Sequence, residues 1–344
     1  MRFGIADITP TTCGDRSGFP AQSSVLDEQA IFHRVVPLYD LPAPRSCAFL
    51  TRGDSDIYRI ETATGPYYLK IRRPPVDAAI CEAEAQLVAA LADAGLPVVR
   101  PVVLKSGGHA TEICASEGRR GILVFEAAPP SLRGALDAHL ARQFGQTMGR
   151  MHEVSDQYSG CCALPDADLT DLHTAADDVA AAVALSDTQQ AWLHQAARYV
   201  SERYTELSCS DSDYGPIHGD LAPCNVCITA EGRLTLFDFG AAHRDWRLNE
   251  LLNVWHRTMP RETPEMRLQC WQAFLDGYAT VRQVPRSLER FKGVTHLSGK
   301  LRMMGYVCNA LTLRRGIEPI EESRIVGQVA EIEQLLQDLA NGHL

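Results

Sequence analysis

No apolar run in this 344-residue chain approaches the roughly eighteen residues of a membrane-spanning helix, and residues 1–17 lack the apolar core of a secretory signal. A cytoplasmic protein with no membrane partner is expected. Basic charge is in deficit: the formal net charge is −10, which argues against nucleic acid as a partner, because phosphate backbones are bound through basic patches. The same charge is compatible with cationic small molecules. A disulfide framework is absent, since the eleven cysteines are odd in number and scattered from Cys13 to Cys308, so reduced thiols are expected. Cys224-Asn225-Val226-Cys227 has zinc-like spacing but no suitable second pair, Cys161-Cys162 being adjacent, and packing is the favoured role. There is no internal repeat. With 45% hydrophobic and 22% charged residues, the composition is that of a globular protein long enough for two domains, expected as a monomer or homodimer.

Against this background one stretch carries chemistry: His218-Gly219-Asp220-Leu221, then Asn225, then Asp238-Phe239-Gly240. Phosphoryl transfer needs an Asp to orient a hydroxyl, and an Asn and a second Asp to hold Mg2+. In kinases that Asp precedes the Asn by five residues, and Asp220 to Asn225 reproduces the gap. Two β-like runs, 226–229 and 233–237, flank Ala230-Glu231-Gly232, so a hairpin would return Asp238 to Asn225. Asp, Asn and Gly are also ordinary turn formers, which explains each residue singly but not the ordered set. His243-Arg244-Asp245 spells another kinase triplet, but it follows Asp238 instead of preceding it, with Asn249 four residues on, and is assigned to a surface turn.

Patterning predicts an irregular lead-in over 1–24, a helix over 25–39, and a hairpin of 47–50 and 57–60 around Gly53-Asp54-Ser55-Asp56. A third strand follows over 67–71, a helix over 76–94, and strands over 98–104 and 122–125. Ala127-Ala128-Pro129-Pro130 marks a boundary, giving a sheet-rich N-lobe over 25–126 and a C-lobe over 127–344, helical except for the 225–238 hairpin. Helices are expected over 132–152, 188–207, 246–257, 264–278, 287–313 and 321–339. The acidic, Ala-rich stretch 166–182 reads either as a solvated helix face or as a wall attracting a cationic substrate.

The first lobe offers nucleotide contacts in kinase order. A turn at Gly53 and Ser55 would cover the phosphates, and Lys70 on the third strand would contact them. Glu84 on the next helix would hold Lys70, with Glu82 as a competing partner, and Phe125, Glu126 and Ala128 lie where backbone would meet adenine. Singly, these are an ordinary hairpin, a strand-end lysine, a solvated helix charge and an interdomain connection. Together with the Asp220 stretch they resemble the aminoglycoside phosphotransferase family, which includes choline kinases and homoserine-kinase-like enzymes. The likeness is strongest from Ile217 to Asp238, and is supported by the segment from Phe144 to His152 and by Phe274-Leu275-Asp276-Gly277-Tyr278.

The resemblance implies an α+β, bilobal protein-kinase-like fold: a small antiparallel-sheet N-lobe with a helix pair, and a larger, mostly helical C-lobe with a catalytic hairpin. It also implies ATP, Mg2+, and transfer of the γ-phosphate to a hydroxyl of a small molecule such as an aminoglycoside, homoserine or choline. By position, Asp220 becomes the hydroxyl-orienting base, Asn225 and Asp238 the Mg2+ ligands, Lys70 the phosphate contact with Glu84 behind it, and His218 a brace for the loop. Many relatives carry an Asp-Leu pair on the helix behind the site; here Asn249-Glu250-Leu251 stands there, so Glu250 replaces that carboxylate or the anchor is lost. Trp246, Glu250, Trp255 and His256 are candidates to line the acceptor pocket, with core packing the competing role for both tryptophans. One rival is a protein Ser/Thr kinase, although no Ala-Pro-Glu follows Asp238-Phe239-Gly240. Another is a catalytically inactive nucleotide-binding module, against which stands the intact polar set.

Overall fold

In chain order the structure, a computed structural model describing residues 24–74, 76–131, 136–158, 163–207, 213–313 and 322–342, divides by contacts into two units. One runs to Ala89 and resumes over Val99–Ala127; the other comprises Ala90–Val98 and Ala128–Leu344. The lead-in before Ser24, the Cys161-Cys162 pair, residues 132–135 of an expected helix and Glu321 of another lie outside the described residues.

The first unit carries α1 (Glu28–Arg34), β1 (Ser46–Arg52), β2 (Ser55–Glu61), β3 (Pro66–Arg72), α2 (Ala78–Asp93, its last turn counted with the second unit), β4 (Thr111–Ala115) and β5 (Gly118–Glu126). The sheet is antiparallel in the order β1-β2-β3-β5-β4. Asp27 starts α1 by accepting the Ala30 N–H at 2.7 Å, and the helix ends before Pro37, where a 3-10 turn, Val36–Leu38, takes over. It is therefore shorter than the expected 25–39. Successive strand residues face opposite sides: Tyr58, Ile60, Leu69, Ile71, Ile122 and Val124 pack with Ile31 and Val35 on one face, and Leu123 packs with Cys81 and Ala85 of α2 on the other. Lys70 pairs with Leu123 and so shares the α2 face.

Residues 98–104 form no strand. They make only isolated bridges, Val98 to Leu236, Pro101 to Phe125 and Leu104 to Tyr39, because Pro97 and Pro101 cannot donate to a ladder. The short edge strand β4 was not expected.

The second unit contains α3 (Ala138–Gln157), α4 (Thr170–Ala182), α5 (Asp187–Tyr204), β6 (Tyr214–Ile217), β7 (Val226–Ile228), β8 (Leu234–Leu236), β9 (His243–Trp246), α6 (Arg247–Arg257), α7 (Pro264–Ala279), α8 (Leu288–Leu313) and α9 (Glu322–Ala340). Caps place the helix starts: Asp137 accepts from Leu140 N, Ser186 and Gln189 form a capping box, and Thr263 accepts from Met266 N ahead of Pro264. Two glycines set the approach of α3 to α7. A Cβ on Gly145 would lie 1.9 Å from Phe274 O, and one on Gly277 2.0 Å from Arg142 O.

On α4, Leu172, Ala175, Ala176 and Val179 are buried while Asp171 and Asp177 are exposed. Those two aspartates belong to a solvated face. His243-Arg244-Asp245 is not a surface turn: it forms most of β9, pairing antiparallel with β6, and Asp245 is 2% exposed. Two-stranded pairing leaves edges free, and that is what lets Pro216 sit in β6. No helix among the described residues is long and apolar enough to cross a membrane.

Candidate active site

On the α2 face of the first unit, Lys70 Nζ lies 2.9 Å from Glu84 Oε1, with both side chains buried. Arg72 Nη1 approaches the other Glu84 oxygen at 3.6 Å. A buried ammonium is costly without such a partner. Glu82 does not compete, because its carboxylate accepts the backbone N–H groups of His109 and Ala110 at 2.8 and 2.7 Å. Burial pushes the Glu82 carboxyl up, but these hydrogen bonds and one from Gln86 outweigh it and hold its pKa below the ordinary value.

Gly53 lies in the turn joining β1 to β2, its N–H donating to Ser55 O at 2.9 Å. Ser55 opens β2, and its Oγ is buried without a hydrogen-bond partner among the described residues. Beneath the turn is a network the sequence did not reveal. The fully buried Asp56 binds Arg52 Nε at 2.7 Å and Arg120 Nη2 at 2.6 Å, and Arg120 Nε donates to Arg72 O at 3.0 Å. Burial raises the Asp56 pKa, yet the two arginines more than offset it, and the group stays below the usual carboxylate range. Phe125 and Glu126 end β5; Glu126 N–H donates to Arg100 O at 3.0 Å, so that backbone donor is already engaged. Ala128 begins the next stretch of the second unit.

In the second unit, the loop after β6 turns at Gly219, whose φ is +81° and whose added Cβ would meet Ala241 O at 2.2 Å. Only glycine fits there. Asn225, at the end of a 3-10 turn, donates its Nδ2–H to both Asp220 O and Asp220 Oδ2, each at 2.8 Å. Phe237 N–H donates to Asn225 O at 3.1 Å, so the β7–β8 hairpin brings Asp238 back to Asn225. Asp238 itself is in the left-handed region, φ +61° and ψ +65°, a conformation that non-glycine residues hold only when their surroundings enforce it. His218, fully buried, donates Nε2–H to Phe237 O at 3.0 Å, accepts from Asp220 N at 3.3 Å, and packs on Phe239 at 4.2 Å. Burial lowers its pKa, and a neutral ring with its proton on Nε2 satisfies both bonds. It ties the two ends of the polar stretch together.

Helix α6 runs along this loop. Glu250 Oε1 accepts the Gly219 N–H at 2.9 Å, Arg257 Nη1 donates to Asp220 Oδ1, and Thr258 Oγ1–H donates to Leu221 O at 2.9 Å. Residues 250, 254, 257 and 258 share one helical face. That spacing was the available signal for Arg257, and composition gave no reason to single it out. Glu250 also meets His152 Nε2 at 2.8 Å, and His152 Nδ1 meets the Tyr278 hydroxyl at 2.9 Å. Burial pushes the Glu250 carboxyl up to about 7, the Gly219 hydrogen bond opposing it, and burial drives His152 well below its ordinary value.

Trp246 and Glu250, expected to line the acceptor pocket, are both buried. Glu250 is 1% exposed and supports the loop from beneath, through the Gly219 N–H. Trp246 is buried, stacked on Tyr204 at 5.2 Å, and borders a cavity of about 1020 Å³ with Asp156, Tyr214 and Arg282, whose lining contains none of Asp220, Asn225 or Asp238. Trp255 and His256 are partly exposed on the turn that carries Arg257. Lys292 Nζ sits 3.9 Å and Arg267 4.1 Å over the Trp255 ring, while His256 Nε2–H donates to Lys292 O at 3.1 Å. Burial, then the neighbouring His296, lowers the His256 pKa to about 3. Cys224 is exposed and Cys227 buried, and no cluster of three or more His, Cys, Asp or Glu able to hold a metal occurs among the described residues.

Comparison with known proteins places this geometry in a wider group. The uncharacterized protein sll1119 of Synechocystis sp. is 28% identical over 281 residues, 79% of this chain and 74% of its own length. An uncharacterized protein of Deinococcus radiodurans is 28% identical over 268 residues, 76% of each chain. Among solved structures, amicoumacin kinase hAmiN in complex with AMP-PNP, Ca2+ and Ami superposes with a TM-score of 0.75 at 22% identity, covering 90% of this chain and 94% of its own. The microcompartment-associated aminopropanol kinase gives 0.71 at 17% identity, covering 91% and 98%. These likenesses establish a protein-kinase-like α+β fold. The model of the phosphotransferase enzyme family, APH, matches residues 47–284, and the chain belongs to that family.

Proposed function

We propose that this chain is an ATP- and Mg2+-dependent phosphotransferase that moves the γ-phosphate to a hydroxyl of a small molecule. The observation that carries the reading is the way Asn225 is held. Its Nδ2 is committed to Asp220, which leaves Oδ1 without a hydrogen bond among the described residues at the hairpin end where Asp238 returns. An amide oxygen and a carboxylate fit Mg2+, which takes one or two protein oxygens and completes its shell with phosphates and water. Bound there, Mg2+ would neutralise charge on the phosphates.

Asp220 accepts the hydrogen bond of the acceptor hydroxyl, orients its oxygen toward the γ-phosphorus and takes the proton as the bond forms. Its two oxygens retain acceptor capacity beyond the bonds to Asn225 and Arg257. Lys70, held by Glu84, donates to the α- and β-phosphates. Glu250 and His218 fix the backbone that carries Asp220. An intact Lys70–Glu84 pair in the first unit and an ordered Asp220–Asn225 pair in the second speak against an inactive binding module.

The test is ADP release from MgATP with a panel of hydroxylated small molecules. Asp220→Asn should lower turnover by roughly 10²–10⁴-fold while MgATP binding, followed by calorimetry, persists. Wild-type turnover in the variant would refute the role of Asp220.

A further inference from the structure

Arg257 occupies the position an acceptor must approach. It donates to Asp220 Oδ1, and each of the two side chains keeps 35% of its surface exposed, in contrast to the buried Glu250 that grips the same loop from within. The charge around it has one dominant sign. Arg261 donates to His256 O at 2.6 Å and Arg267 to Trp255 O at 2.9 Å, both satisfying carbonyls of the last turn of α6, where cations are favoured. Lys292 lies over Trp255. The acidic groups here are engaged locally: Glu289 with Lys292 at 3.3 Å, Glu331 with Lys300, and Glu262 with the Arg261 backbone N–H at 2.9 Å. Arg261 and Arg267 have a capping role that accounts for them. Arg257 does not cap; its guanidinium is directed at the carboxylate that is to receive a hydroxyl.

Resting on the phosphotransferase reading above, we propose that Arg257 determines acceptor specificity: it exchanges Asp220 for a carboxylate or phosphate on the incoming molecule, so that the acceptor is an anionic hydroxylated metabolite. Guanidinium geometry suits either anion, because both present paired oxygens to its fork. A polycationic acceptor would have to place its ammonium groups against Arg257 and its basic neighbours. Of the acceptors considered from sequence, homoserine carries a carboxylate, whereas choline and the aminoglycosides bring only positive charge. The exchange also frees Asp220 when the right molecule arrives. The acceptor oxygen then forms its bond to the γ-phosphorus, the bond to the β–γ bridging oxygen breaks with its electron pair leaving on ADP, and the hydroxyl proton passes to Asp220.

The experiment measures ADP release by the full chain with acceptors matched in hydroxyl but differing in charge. D-glycerate and 4-hydroxybutyrate form the carboxylate arm, glycerol 3-phosphate the phosphate arm, glycerol and 1,4-butanediol the neutral arm, and 1-amino-2-propanol and kanamycin the cationic arm. One anionic arm should exceed its neutral counterpart in kcat/KM by roughly tenfold or more, the scale of one charge-assisted contact. Arg257→Met should collapse that ratio, mainly through KM, and Arg257→Lys should restore part of it. A merely structural clamp would lower all arms together and leave the ratio unchanged, which overturns the proposal. Preference for the cationic or neutral arm in the wild type, a measurement that needs no variant, also overturns it while leaving phosphotransfer standing. Absence of ADP release with every arm defeats the phosphotransferase reading, and the proposal with it.

Discussion

At the scale of single residues, the polar stretch is held from beneath by groups that are themselves unusual. Glu250 is buried with its carboxyl raised to about 7 from an ordinary 4.5, so the folded chain retains a proton there that the unfolded chain releases earlier. The stabilisation this provides is complete below about 4.5 and is lost as pH rises through about 7. Glu250→Gln stays neutral throughout and loses nothing over that range. The stability gap between wild type and Glu250→Gln should therefore be wider at pH 5 than at pH 8 by roughly 2 kcal/mol, measured by urea unfolding. A gap that is flat, or widens toward alkaline pH, contradicts a protonated Glu250. Asp220, Asn225 and Asp238 were legible in the sequence because they are close along the chain and their spacing is set by one loop and one hairpin. Arg257 was not, because it lies 37 residues from Asp220 and only the course of α6 brings the two together. Glu250 was visible as a departure, but its place beneath the loop instead of in the pocket depends on burial, which no spacing reveals.

At the scale of elements, α6 is the part that converts helix periodicity into loop geometry, gripping Gly219, Asp220 and Leu221 from one face. The α3–α7 contact is the complementary case, in which packing is set by what is missing. Gly145→Ala would drive a Cβ against the Phe274 carbonyl, a backbone atom that cannot swing aside, and should cost roughly 1–3 kcal/mol. The midpoint of thermal unfolding should fall, and an unchanged midpoint would show that the helices can separate without penalty. Elements with clear periodicity or caps were legible: α2, α5 and α7 lie within a few residues of expectation. The misses have physical causes. Tyr214-Gly215-Pro216-Ile217 and His243-Arg244-Asp245-Trp246 show no simple apolar alternation, so β6 and β9 gave no strand signal, and their pairing is fixed by neighbours distant in sequence. Conversely, the valine-rich run near 98–104 suggested a strand that Pro97 and Pro101 do not allow. Val99, Val102 and Leu104 are buried without a ladder, each 9% exposed or less, while Val103 is exposed.

At the scale of the molecule, net charge and local charge point in different directions. A chain with a formal charge of −10 invites a cationic substrate, yet the last turn of α6 carries Arg257 to Asp220 and is met by Arg261, by Arg267 of α7 and by Lys292 of α8, and the exposed aspartates of α4 face solvent. Recognition follows the field at the site, which falls off over about 8 Å at physiological salt, and not the total over the surface. The central claim, transfer of a phosphoryl group from ATP to a hydroxyl, is tested most directly by 31P NMR of wild-type protein with MgATP and the charge-matched acceptors. Loss of the γ-phosphate resonance should be matched by growth of a phosphomonoester resonance from one acceptor, absent in Asp220→Asn. Growth of inorganic phosphate alone, or no change in the ATP resonances with any acceptor, would contradict the account.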